Sequence, residues 1–125
     1  MMNAVMCSNC SIKTQHTYLR SCDPDMFLIE LCRVTDTTRG LKKITDPVSF
    51  VTDLKLPGFS REYRVVASAH HRGTLSGGHW FARLCTQRGW VEADDLRSMH
   101  VPTDPPGVFD RSVTMLVLVA VDRLS

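Results

Sequence analysis

The residue types best suited to chemistry lie between His71 and Asp95. His79 follows the Gly77-Gly78 pair and opens an alternating apolar segment, and Asp94 and Asp95 follow the short apolar run that ends at Ala93. A histidine at the mouth of a strand, held by a carboxylate from the next strand, is the arrangement a general base needs. The carboxylate fixes the tautomer and supports the imidazolium formed when a thiol or hydroxyl gives up its proton. His71, Gly73, Gly77 and Gly78 form a glycine-rich approach to that histidine, where the backbone can turn tightly and another chain can come close. Cys7 and Cys10 stand in C-x-x-C spacing, that of a zinc-ligand pair, and His16 or Cys22 could complete a set by distance along the chain.

These residues need elements to hold them. Glu62 to His70 alternates Tyr63, Val65, Ala67 and Ala69 against Arg64, Val66, Ser68 and His70, the period of a half-buried strand. Trp80 to Cys85 alternates in the same way, Thr86 to Gly89 reads as a turn, and Trp90 to Ala93 reads as the returning strand. That hairpin brings Asp94 back beside His79. Asp25 to Arg33 reads as a buried strand, Val48 to Val51 as a short one, and the β-branched run Ser112 to Val121 as a central one. Pro57-Gly58, Gly73 to Gly78, and Pro102 with Pro105 to Gly107 interrupt the pattern as turns and loops. Only Asp94 to His100 reads as a helical turn. The pattern predicts an antiparallel β structure of about six strands. Cys32 and Cys85, inside strand segments, are expected to be small buried hydrophobes, and His16, His70 and His100 to be partly exposed.

Composition removes several function classes. A net charge of +2, with no basic cluster beyond Lys42-Lys43, argues against nucleic acid and anionic membranes. The longest apolar run, Met115 to Val121, is far short of the roughly 20 residues that span a bilayer. Met1 to Met6 lacks the features of a secretory signal, and five cysteines is an odd number. Together these predict a reducing intracellular setting, cytoplasm or nucleus.

Tyr63 to Gly73 (YRVVASAHHRG), Gly78-His79-Trp80-Phe81-Ala82, Trp90 and Asp94-Asp95 together resemble the histidine box of ubiquitin-specific proteases, roughly Y-x-L-x-A-V-x-x-H-x-G-x-x-x-x-G-H-Y-x-A followed by W and [DN]-D. Upstream, Cys7 to Cys10, Asp25 to Arg33, and Val48 to Phe50 with Leu54 are similar to the family's C-x-x-C, L-x-I-x-L-x-R and v-x-F-P segments. The resemblance implies an α+β fold of the papain-like cysteine protease superfamily, this chain forming mainly its antiparallel β part. It makes residues 1–125 a partial catalytic domain, the C-terminal half. It implies His79 as general base, Asp94 as its orienting partner and Asp95 as the acidic residue after it. His71, Gly73, Gly77, Gly78 and Trp80 would meet the ubiquitin tail, Trp80 replacing the usual tyrosine. The implied partner is ubiquitin or a ubiquitinated protein. No cofactor is required, and a structural zinc would use Cys7 and Cys10.

The family's nucleophile lies in a box resembling G-L-x-N-x-G-N-T-C-Y-x-N, and no such box occurs here. None of Cys7, Cys10, Cys22, Cys32 and Cys85 inherits that role by motif. Three readings follow: a thiol isopeptidase whose cysteine comes from an N-terminal half; a ubiquitin-binding module without turnover, a decayed relative of the enzyme; or a structural zinc-binding fragment centred on Cys7 and Cys10.

Overall fold

The computed structural model describes residues 2–6, 13–17, 23–97, 100–107 and 110–124, the first two stretches as backbone only. Cys7, Cys10 and Cys22 lie outside the described residues, as does the His16 side chain. Two strands, β1 (Met2–Met6) and β2 (Lys13–Thr17), pair antiparallel, so the C-x-x-C motif falls in sequence between them.

The site rests on a larger sheet. Its strands are β3 (Met26–Glu30), β6 (Asp53–Leu54), β7 (Tyr63–Arg72), β8 (His79–Thr86), β9 (Gly89–Ala93), β10 (Val101–Pro102) and β11 (Val113–Ala120). They run β10-β9-β8-β7-β11-β3, and every pairing is antiparallel. The long β7 pairs with β8 over Ala67 to Arg72 and with β6 at Tyr63 and Arg64. A separate hairpin joins β4 (Val34–Thr37) to β5 (Gly40–Lys43). A 3₁₀ turn, Val121–Arg123, follows β11, and no α-helix occurs among the described residues. No helix there is long and apolar enough to cross a membrane.

Two hairpins share one turn device. In Thr37-Thr38-Arg39-Gly40 and in Thr86-Gln87-Arg88-Gly89, the threonine hydroxyl donates to the glycine carbonyl at 2.7 Å and accepts the arginine N–H at 3.2 Å. Both glycines take positive φ, +102° and +111°, which a side chain resists.

One face of the sheet is the core. Tyr63, Val65, Val113, Leu116, Leu118 and Ala120 are buried, and Phe27, Ile29, Phe50, Leu56 and Phe59 pack against them. Phe27 and Phe59 stack at 5.1 Å, and both meet Tyr63 edge-on. Each large aliphatic side chain buried here contributes roughly 1.5–3 kcal/mol. Tyr63 keeps its hydroxyl satisfied on the Pro24 carbonyl at 2.8 Å.

Two β-bulges set which side chains face inward. Leu118 pairs with Val65 but Val117 pairs with Ala67, leaving Val66 as the extra residue; Thr114 is extra in β11. Past Val66 the phase of β7 changes, so Ser68 and His70 take the inward positions that alternation gives to Ala67 and Ala69. His70 is therefore fully buried rather than partly exposed; His100 is exposed, as expected.

Other expectations change in detail. Val48 forms only an isolated bridge with Asp110, because Pro47 precedes it and the chain leaves the sheet at once. Asp94 to Arg97 makes one hydrogen-bonded turn, Arg97 N–H to the Asp94 carbonyl at 3.0 Å, without a helix. Cys32 and Cys85 are exposed, not buried: Cys32 lies beyond the end of β3, and Cys85 sits next to the β8–β9 turn.

Candidate active site

His79 is the first residue of β8, and Asp94 directly follows β9. Pairing of Ala82 with Ala93 brings the returning strand back toward the start of β8. The result is a hydrogen bond of 2.8 Å from His79 Nε2 to Asp94 Oδ1. The same oxygen accepts the Leu96 N–H at 3.0 Å. This N–H and the imidazole hold the Asp94 carboxyl below the usual carboxylate range, so it stays an anion. An ionised Asp94 fixes the proton on Nε2 and leaves Nδ1 with its lone pair free to take another. Asp94 is 6% exposed and His79 is 36% exposed, so the partner is shielded while the base stays accessible. Asp95, 87% exposed, sits 3.9 Å from the same nitrogen and acts only as a nearby negative charge.

The turn carrying Asp94 is braced from below. Glu92, almost buried on β9, holds Arg97 at 3.0 Å, with Arg72 at 3.5 Å and Arg83 at 3.9 Å. Sequence reasoning passed over Glu92. Its one signal was a carboxylate alternating into a strand that otherwise buries apolar residues.

The glycine-rich approach is closed over His71. An added Cβ at Gly78 would lie 2.0 Å from His71 Nε2 and 2.6 Å from the Arg72 carbonyl, so the imidazole rests directly on that backbone. Gly73 needs its φ of +93° and meets Gly78 closely, whereas Gly77 has room for a methyl group. Trp80, 59% exposed, covers the other side of His71 with ring centroids 4.8 Å apart. Lys43, from β5, reaches His71 Nδ1 at 2.8 Å and the Gly73 carbonyl at 2.7 Å. Burial first, then the Lys43 and His79 charges, push the His71 pKa down and keep it neutral. Lys43 was not among the residues predicted from sequence, because its hairpin is polar and has no apolar alternation. Arg33, Val34, Lys43, His71, Leu75 and Trp80 line a cavity of about 210 Å³ beside the loop.

The structure thus brings His79, Asp94 and Asp95 into one cluster and His71, Gly73, Gly78 and Trp80 into another, joined through the start of β8. Their ligand-type atoms would allow His79, Asp94 and Asp95 to approach one ion, since they lie within 4.8 Å of each other. Seating an ion there would break the His79–Asp94 hydrogen bond.

Comparison with known proteins agrees with this architecture. The sequence model of the family described as ubiquitin carboxyl-terminal hydrolase matches residues 1–117. A chain of the SAGA DUB module Ubp8/Sgf11/Sus1/Sgf73 bound to monoubiquitin superimposes with a TM-score of 0.70 at 20% identity, over 96% of this chain and 30% of that one. A chain from a yeast SAGA DUBm structure with an Sgf73 mutant gives 0.66 at 23% identity, over 78% of this chain and 25% of that one. Another Ubp8-Sgf11-Sgf73-Sus1 module gives 0.66 at 17% identity, over 94% and 38%. At these identities the likeness speaks for the fold. No curated protein matches the chain. The chain spans between 25% and 38% of the length of these similar structures. With most of its residues covered by the family model, the chain belongs to the ubiquitin carboxyl-terminal hydrolase family.

Proposed function

We propose that this chain supplies the general-base side of a thiol-dependent ubiquitin hydrolase. The observation that carries the reading is the 2.8 Å bond from His79 Nε2 to a shielded, ionised Asp94, which leaves Nδ1 open on an accessible imidazole. In the reaction, His79 takes the proton of a cysteine thiol. The thiolate attacks the carbonyl of the ubiquitin C-terminal glycine, and His79 returns the proton to the departing amine. Water then hydrolyses the thioester with His79 again as base. Asp94 orients the imidazole, Asp95 adds negative charge beside it, and His71, Gly73, Gly77, Gly78 and Trp80 border the ubiquitin tail.

The nucleophile comes from an N-terminal half carrying the cysteine box, and the two halves together make a papain-like α+β domain. Its partners are ubiquitin and ubiquitinated proteins, in a cytoplasmic or nuclear setting consistent with an odd count of five cysteines. Cys7 and Cys10 would contribute two of the four ligands of a structural zinc. A second reading, a ubiquitin-binding module without turnover, is supported by the His71–Gly78 loop and the exposed Trp80, which could meet a partner without any thiol.

An NMR titration with ubiquitin tests the shared part of both readings. Shifts concentrated at Gly73 to Trp80 are expected; an unperturbed loop overturns both. A ubiquitin C-terminal electrophile separates them. It should label no cysteine of this chain but should label a longer chain bearing the cysteine box, provided His79 is intact. Labelling that survives His79→Ala there would remove His79 as the base.

A further inference from the structure

We infer that Lys43 is a positioning residue, a latch from the β4–β5 hairpin that holds the His71–Gly78 loop in the shape that receives a partner's tail. This rests on the ubiquitin-tail reading for the identity of that partner, while the latch itself rests on geometry. The Lys43 ammonium has three donors, and the loop offers it three acceptors. They are His71 Nδ1 at 2.8 Å, the Gly73 carbonyl at 2.7 Å and the His71 carbonyl at 3.4 Å. All three belong to the two residues where the chain leaves β7, and they lie twenty-eight to thirty residues from Lys43 in sequence.

The latch acts in two ways. First, it restrains a loop that otherwise has little to hold it. The segment carries three glycines, and Leu75 at its tip is 48% exposed. Apart from Lys43, its only side-chain hydrogen bond among the described residues is Thr74 to Ser76, at 3.3 Å. Second, it decides the tautomer of His71. An ammonium can only donate, so Nδ1 must accept, and the ring proton sits on Nε2, against Gly78. A protonated His71 would have to turn Nδ1–H away from Lys43, leave its contact with Gly78 and bring a second cation toward His79. The groups acting on His71 are Lys43 and His79, with Trp80 covering its ring. Lys43 therefore ties the β4–β5 hairpin to the glycine loop, and the hairpin becomes part of the tail site.

Lys43→Met keeps the aliphatic stem and removes the donors, and Lys43→Arg keeps the charge. Lys42→Met removes the neighbouring cation, which borders the loop but makes no hydrogen bond to it. Amide exchange and imidazole NMR are measured on each full chain, followed by ubiquitin titration. In Lys43→Met, exchange at Thr74 to Gly78 should rise about tenfold, the loss of a charge-assisted hydrogen bond. The His71 pKa should rise, and its signal should change from a single Nε2–H tautomer to a mixture. Lys43→Arg should recover part of both effects, and Lys42→Met should show neither. Ubiquitin affinity should fall about tenfold in Lys43→Met alone. Unchanged exchange and an unchanged His71 tautomer in Lys43→Met overturn the latch, whatever ubiquitin does. If the latch signatures appear but the unmodified chain does not bind ubiquitin, the tail reading is what fails, and with it the assignment of the latch to that partner.

Discussion

Two histidines of the same sheet each face a carboxylate and have opposite fates. His79 stands at the start of β8, 36% exposed, with Nε2 on Asp94. His70 lies within β7, completely buried, with Nε2 at 2.7 Å from the Ser68 hydroxyl and Nδ1 at 3.0 Å from that of Ser112. Asp110 lies 3.6 Å from the same Nδ1, and Phe81 stacks on the ring at 5.0 Å. Asp110 in turn caps the start of β11, accepting the N–H groups of Ser112 and Val113, each at 2.9 Å. The difference is not the presence of a carboxylate. A base needs one nitrogen held and the other free, and a structural histidine has both engaged and no path for solvent.

The largest break in this comparison should come from the buried pair. Asp110→Ala orphans two backbone donors and strips the carboxylate from beside the Ser112 hydroxyl and the buried His70 imidazole. It should cost about 3 kcal/mol and lower the melting temperature by roughly 10 °C, read by calorimetry. A loss as small as that of a surface change would mean the network is not structural.

Next comes the loop before the exposed pair. Gly78→Ala should cost about 1–3 kcal/mol and displace the His71 ring, while Gly77→Ala, whose new methyl meets nothing nearer than 3.9 Å, should be nearly neutral. Equal melting temperatures for the two would contradict the packing of His71 on Gly78.

Acid should also act on the buried pair. Burial alone would raise the Asp110 pKa, but hydrogen bonds from His70 and Ser112 outweigh it and hold the carboxyl well below the carboxylate range. A depressed native pKa stabilises the fold at pH above the unfolded value of about 3.9, and that stability is lost as pH falls below it toward the native value. Urea midpoints should therefore drop below about pH 4, and Asp110→Asn should flatten that slope. An identical slope in the variant would remove Asp110 as its source.

The smallest change in stability is expected at the candidate base. His79→Ala should shift the melting temperature by no more than about 2 °C. Asp94→Asn should leave the fold intact and let the proton of His79 distribute over both ring nitrogens, visible in its imidazole NMR signals. A single unchanged tautomer would show that Asp94 does not orient the ring.

The hairpin carrying His79 and Asp94 was readable because apolar alternation, a glycine turn and the histidine spacing all agree over β8 and β9. The inward position of His70 was not. Its alternation is regular in sequence, and only the extra residue at Val66 turns Ser68 and His70 toward the core. The β4–β5 hairpin escaped for another reason. Thr35, Asp36, Lys42 and Lys43 leave no apolar face, and the Thr37 to Gly40 turn gains force as a signal only beside its twin at Thr86 to Gly89. Lys43 was lost with it. Cysteine burial was misjudged because position within an apolar run says little at the run's end, where Cys32 and Cys85 both stand.

The bulges have a consequence at the level of the gene. At Val66 and at Thr114 the sheet already carries one residue more than its partner strand can match. In-frame loss of either codon would make the ladder regular and leave Tyr63, Val65, Ser68 and His70, or Val113, Leu116 and Leu118, facing as they do now. Loss of Ala67 or Met115, the second outward residue at each bulge, would do the same, whereas loss of a codon farther along β7 or β11 would turn the residues beyond it inside out. Tolerated length variation in these two strands should therefore collect at the two bulges.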